Sequence, residues 1–197
     1  MTDITDLINA THREIGERKI EGYPATGTVL LRRAYDTTAE DLWEAVTTPS
    51  RLERWFLPVT GDLRPGGTYQ IEGNAGGEIL ECDPPRLLRL SWVYGDMASH
   101  LEARISSKDG QAVLELEHGG LADGHFEGVG GGWDPALWAL DQYLRGVLPE
   151  DLGDRMRAGD IPEEVQEIFA RTAQEWHEVA VAAGKEGLLG PGSPADS

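Results

Sequence analysis

Side chains able to hold protons or metals crowd one short stretch of the chain: His118, Asp123, His125 and Glu127. Imidazole and carboxylate together suit zinc or another divalent ion. Their spacing matches no metal-binding pattern, however, so no metal and no other cofactor is expected. His118, in the run LELEHGGL, has a second potential use. It ends an alternating segment on the apolar side. An imidazole there can orient a ligand carbonyl, serve as a general base, or be satisfied by the adjacent glycine-rich segment. No Asp or Ser can be placed beside it from the sequence, so no triad is arguable. His118 is the one candidate catalytic residue in a chain read first as a binder and not as an enzyme.

Other chemistry-bearing residues carry less. Gly128, Gly130, Gly131 and Gly132 ahead of a helix have the form of a phosphate cradle. No βαβ strand precedes them, and Asp134 would repel an anion at that helix start. Cys82 borders Pro84-Pro85 without a CxxC partner or an activating basic cluster. It reads as a small buried residue. The six tryptophans include Trp55, Trp92 and Trp133, placed at the start of a sheet, on a strand and at the mouth of a long helix. They are either an aromatic lining for a flat apolar ligand or core.

Elements must position these groups. Ile4, Leu7, Ile8 and Ile15 predict a short amphipathic helix within Thr2 to about Lys19. GTVLLRRAY, residues 27–35, suits a long strand. Thr37-Thr38-Ala39-Glu40 has the form of a capping box, and Pro49 begins a second short helix. Strands follow at residues 68–72, 78–82, 87–94, 99–106 and 112–118, the last two joined by an Asp109-Gly110 hairpin signal. Leu101, Ala103 and Ile105 share one face with a buried aspect, and His100, Glu102 and Arg104 share a wet one. Leu114, Leu116 and His118 likewise oppose Glu115 and Glu117. A glycine-rich loop is expected from Gly119 to Gly132. Asp134-Pro135 then reads as N-cap and first residue of a helix to about Arg145, with Leu137, Leu140 and Leu144 on one face. Pro162 starts a last helix whose stripe is Val165, Ile168, Phe169, Ala173 and Trp176.

The order predicts an α+β fold in which a curved antiparallel sheet wraps a long C-terminal helix. A cavity can persist between two such shapes. The expected lining is Trp55, Trp92, Leu101, Ala103, Leu114, Leu116, His118, Trp133, Leu137 and Leu140.

Five segments carry a family resemblance: TTAEDLWEAVTTPSRLERWF, GDLRPGG, GEILECDPPRLLRLSW, LELEHGGL and GGWDPALWALDQYL. In this order they resemble the START-like, or SRPBCC, superfamily, and within it the branch of the Aha-type activator of heat-shock-protein-90 ATPase, C-terminal domain. The resemblance spans about Gly27 to Gly146 and implies a helix-grip (Bet v-like) fold. Relatives include lipid and hormone binders, aromatic polyketide cyclases and co-chaperones, so it implies no single function. Residues 1–26 and 147–184 are then helical extensions, and 185–197 a disordered tail.

Composition limits partners. In 197 residues, 35 Asp and Glu against 17 Lys and Arg leave a formal charge of -18, which opposes binding to nucleic acid. One cysteine excludes an internal disulfide and a Cys-based zinc site. The N-terminal segment lacks the apolar core of a signal peptide, and no apolar run could span a membrane. The expectation is a cytoplasmic protein holding a small hydrophobic or amphipathic molecule, without membrane insertion. The alternatives are an Aha-like co-chaperone with a protein partner, a homodimer built through the last helix, and a cavity enzyme of the polyketide cyclase type.

Overall fold

A computed structural model describes residues 4–186. Alternating strands and periodic helices assemble as an eight-stranded antiparallel sheet curved around one long helix. The strands are β1 (Thr11–Glu17), β2 (Gly27–Tyr35), β3 (Val59–Gly61), β4 (Thr68–Ile71), β5 (Gly76–Asp83), β6 (Leu87–Tyr94), β7 (Met97–Lys108) and β8 (Gln111–Leu121). Their order across the sheet is β1-β2-β8-β7-β6-β5-β4-β3. The helices are α1 (Ile4–Asn9), α2 (Ala39–Thr47), α3 (Pro49–Trp55), α4 (Phe126–Leu144), α5 (Leu152–Arg157) and α6 (Glu163–Ala182). This is the α+β sheet-on-helix architecture expected from the element order, and the helix-grip fold that the family resemblance implies. Among the described residues no helix is long and apolar enough to cross a membrane.

Local signals place the strands well. Asp109 and Gly110 both take positive φ, 51° and 82°, which a two-residue hairpin of this twist requires. At α2 the cap is one residue later than expected: the Thr38 hydroxyl accepts from the Asp41 amide at 3.2 Å, and Thr37 donates to the Asp41 carboxylate at 2.6 Å. Asp41, not Glu40, completes the pair.

Four further expectations are corrected. The first segment is not one helix: α1 ends at Asn9, and β1 pairs with β2 from Thr11↔Arg33 to Glu17↔Gly27. Ile15 fits a strand as well as a helix, and the open edge of β2 decides the matter by satisfying the backbone.

The outer face of the sheet is not wholly wet either. The segment after β1 crosses it, with Ile20 over Gly119 and Tyr23 over Gly120 and His100. Beneath and beside this segment Glu102 is 1% exposed, ringed by Arg18, Arg89 and Arg104. Arg104 itself stays exposed.

The third correction is the largest. The expected glycine-rich loop does not exist as such: β8 continues to Leu121, and α4 begins at Phe126, so Asp134 and Pro135 lie inside the helix. Proline costs a helix interior roughly 3 kcal/mol and glycine about 1 each relative to Ala, so packing must offset them. Phe126 is 1% exposed and lies on Gly27, while Gly130 receives the indole of Trp176.

In the fourth, the buried stripe of α6 is Val165, Ile168, Thr172, Trp176 and Ala180. Phe169 and Ala173 point outward. Thr172 is tolerated inside because its hydroxyl donates to the Ile168 carbonyl at 2.8 Å.

α6 docks on this chain's own domain, against the back of α4. Leu7, Ile8, Trp138, Ala139, Leu152, Val165 and Ile168 form a second core there. The link before α6 supplies α5 to that core through Leu152. α4 is therefore buried on both sides, by the sheet through Leu137 and Leu140 and by this layer through Trp138 and Ala139. Of the expected tail, residues 187–197 lie outside the described residues. Lys185 binds Glu17 and Asp123.

The glycines of α4 yield a paired prediction. A Cβ on Gly130 would fall 2.3 Å from the Trp176 ring, whereas one on Gly131 meets nothing within 4 Å. Gly130→Ala should destabilise by about 1–3 kcal/mol through overpacking, and Gly131→Ala should stabilise by about 0.5–1 kcal/mol. Urea unfolding of both variants checks the opposite signs.

Candidate functional site

The inward residues of β4 to β8 and the sheet-facing side of α4 do not meet everywhere. They leave an apolar cavity of about 160 Å³, closed off at one side by α2 and α3. Trp55, Trp92, Leu101, Ala103, Leu114, Leu116, Trp133 and Leu137 line it, all read as lining from the sequence. Leu140 does not: it is fully buried in the core. His118 lies behind the wall formed by Trp92 and Trp133, in the lining of a second, outer hollow.

Residues the sequence reading passed over complete the inner wall. Tyr69 and Ile71 on β4, and Leu88 and Leu90 on β6, alternate inward as Trp92 does, so strand period alone could have found them. Phe56 could not be found this way, because it caps α3 in irregular backbone. Its ring stacks on Trp133 with centroids 5.8 Å apart, and Trp92 meets Trp133 at 5.1 Å. Trp55 is anchored by its indole N–H, which donates to the Ala45 carbonyl at 3.0 Å.

His118 has partners that settle its state. The Trp133 indole N–H can only donate, and it points at His118 Nδ1 at 3.0 Å. Nδ1 is thus the acceptor, and the neutral ring carries its proton on Nε2. That Nε2–H faces the Ser99 Oγ at 2.7 Å, and the Ser99 hydroxyl donates onward to the Trp92 carbonyl at 3.2 Å. Ser99 is the serine the sequence could not place. It comes from β7, opposite Trp92 and diagonal to His118 across the sheet. The polar line therefore runs Trp133 to His118 to Ser99 to Trp92. Every donor is used and the only ring lone pair is occupied. His118 cannot take a proton from Ser99 in this arrangement; it positions Trp133.

Burial, helped by the nearby His100, pushes the His118 pKa down to about 4. Two other titratable side chains touch the inner cavity. Tyr69 donates its hydroxyl to the Ser91 carbonyl at 2.8 Å, and burial raises its pKa. Burial, with Asp83 adding to it, raises that of the Cys82 thiol. Both stay protonated near neutral pH, so neither is a base. No Lys, Arg, Asp or Glu lines either hollow.

The four potential metal ligands are separated. His118 is held as described, His125 Nδ1 lies 3.2 Å from the Ala122 carbonyl, Glu127 meets His177, and Asp123 meets Lys185. Among the described residues no group of three His, Cys, Asp or Glu side chains could hold an ion.

Comparisons with known proteins agree with the fold. The profile of the family described as Activator of Hsp90 ATPase homolog 1-like protein matches residues 36–145. The solution structure of CalU16 from Micromonospora echinospora is 36% identical, covers 88% of this chain and 96% of its own, and superposes with a TM-score of 0.75. Its crystal structure gives 33%, 87%, 99% and 0.73. An HSP90 activator from Plasmodium falciparum shares the fold at 21% identity, over 60% of this chain and 96% of its own, with a TM-score of 0.54. The Aha1 dimer from Colwellia psychrerythraea does so at 14%, 62%, 98% and 0.55. No curated protein matches the sequence.

The depressed histidine has a testable consequence. Its folded pKa lies below the unfolded value near 6.5, so between about pH 6.5 and 4 the unfolded chain binds a proton that the native chain does not. Stability is full above this window and falls as pH drops through it, by roughly 3 kcal/mol from this residue. In His118→Gln the fall should be shallower by up to one proton. Unfolding free energies at pH 5 and 7 measure it; equal slopes would mean His118 titrates normally.

Proposed function

This chain belongs to the Activator of Hsp90 ATPase homolog 1-like protein family, and we propose that it binds a small, uncharged, apolar molecule in the cavity between the sheet and α4. The observation that carries this reading is the lining. Its walls are aliphatic and aromatic, it holds no charged side chain, and it lies inside a chain of charge -18. Apolar space of this kind stays dry and accepts apolar guests; a cavity of about 150 Å³ in another protein takes up benzene. An anionic ligand such as a fatty acid would meet no cation in the wall and a repulsive field outside it.

Catalysis is the weaker reading. An acid–base enzyme needs convergent groups able to exchange protons, and at the inner cavity Tyr69 and Cys82, with His118 behind its wall, are each held in a form that does not. A co-chaperone role of the kind named for the Plasmodium protein has the family profile over residues 36–145 and a likeness of fold at 21% identity behind it, but the apolar cavity plays no part in that reading.

The test uses toluene, a neutral guest of the cavity's size. It should raise the melting temperature of the protein in a saturable way, by mass action on the folded state. Ala103 lines the cavity floor on β7. Ala103→Phe should abolish the shift while the far-ultraviolet circular dichroism spectrum remains. A folded wild-type protein whose melting point toluene leaves unmoved would overturn the reading.

A further inference from the structure

The outer hollow measures about 510 Å³, against about 160 Å³ for the inner cavity. The two are neighbours with a shared wall: Phe56, Trp92 and Trp133 line both. We propose that the outer hollow is a second subsite of the same ligand site. It takes the wider, ring-bearing and uncharged part of an elongated ligand whose narrow apolar end enters the inner cavity past Trp133. This rests on the ligand-binding reading above and adds to it the shape and class of the ligand.

Three observations converge. First, the outer hollow offers flat surfaces: Trp92, Trp133, Phe56 and Tyr94, with Met97 beside them. Ring systems stack on such faces, and thioether sulfur favours aromatic edges. Its polar groups are few. Asn74 and His125 can orient a carbonyl or hydroxyl at the ligand's edge, while both nitrogens of His118 are already engaged.

Second, the room is made by glycines that no packing demand explains. Gly128 and Gly132, one turn apart on α4, line the hollow. Neither has a positive φ, and a Cβ on either would meet nothing within 4 Å. Gly130, by contrast, is required by Trp176. A helix interior is weakened by glycine, so Gly128 and Gly132 stand at a local disadvantage while their missing side chains keep the hollow open.

Third, the partition is a single layer of side chains. Trp133 and Phe56 are only partly buried. The Trp133 indole is fixed by its hydrogen bond to His118, a contact a ligand acceptor could replace. With the indole displaced, the two volumes become continuous.

The experiment uses two neutral probes, toluene for the inner cavity and Nile red, a flat fused-ring dye, for both. Three variants are compared with the full-length wild type. Gly128→Leu fills the outer hollow at a position where the added Cβ meets nothing. Gly131→Leu is the control, on the same helix, with the same freedom around its Cβ, but lining neither space. Ala103→Phe fills the inner cavity. The proposal expects wild type to bind Nile red, Gly128→Leu to bind it at least tenfold more weakly while keeping the toluene shift, and Gly131→Leu to bind both as wild type does. Ala103→Phe should weaken both probes.

Nile red binding unchanged in Gly128→Leu would overturn the outer subsite. Unchanged binding in Ala103→Phe would overturn its union with the inner cavity. Wild type that takes toluene but not Nile red would overturn this proposal and leave the simpler reading standing; wild type that takes neither would overturn both. Melting curves of all three variants confirm that each is folded before its binding is read.

Discussion

One buried carboxylate holds the layers of this protein together. Asp134, 2% exposed, sits in the middle of α4 and faces away from the cavity. Arg13 of β1 binds it through two guanidinium nitrogens, and the Trp176 indole of α6 donates to it at 3.0 Å. Arg13 in turn donates to the Ile8 and Thr11 carbonyls. One residue thus ties the edge strand, the first helix, the long helix and the last helix. Two turns further along α4, Asp141 lies 3.7 Å from Arg33 of β2, whose guanidinium also reaches the Leu7 carbonyl and Thr11. Removing one partner of such a pair leaves an uncompensated charge, which costs far more than the pair's net worth. The N-terminal and C-terminal segments are therefore bound into the domain by polar bonds as well as by the second core.

That tie also sets the rotation of α4. Successive helix residues point about 100° apart, since a turn holds 3.6 residues. With Asp134 turned toward α6 and β1, Trp133 must turn toward the sheet, where His118 receives its indole N–H. All the charge on α4's buried length is spent on its back, and the front is left to Trp133, Leu137 and Leu140. The separation of a polar back from an apolar front is why an uncharged cavity can exist inside so acidic a chain.

The same logic explains why His118 is a poor base despite its place. A histidine beside a serine, deep in a fold, has the look of catalytic machinery. Here the directions of the hydrogen bonds exclude it, because the indole occupies the lone pair a base would need. What the imidazole supplies is the position of a tryptophan at the junction of two hollows. Its low pKa follows from burial, which penalises the charged form, with the nearby His100 adding to it.

Strand period, turn chemistry and apolar stripes are local properties, and they were legible. The Asp109-Gly110 hairpin follows from turn chemistry, and the inward faces of β6, β7 and β8, with the lining residues Trp92, Leu101, Ala103, Leu114 and Leu116, follow from alternation, since a strand places every second side chain on one face. The family, and with it the wrapping of sheet on helix, was legible in five short segments. The tertiary structure alone decided where local preference is overruled. Glycine and proline say that residues 126–135 should not be helix, yet Phe126 and Trp176 supply the burial that makes them one. Ser99 could not be paired with His118 in advance, because they stand 19 positions apart across strand and hairpin and their meeting depends on register. Asp134 reads locally as a cap, and only the arrival of Arg13 and Trp176, from opposite ends of the chain, makes it a buried anchor. A sequence states which groups want burial or partners; which group meets which is a property of distance in space, and that exists only once the layers are packed.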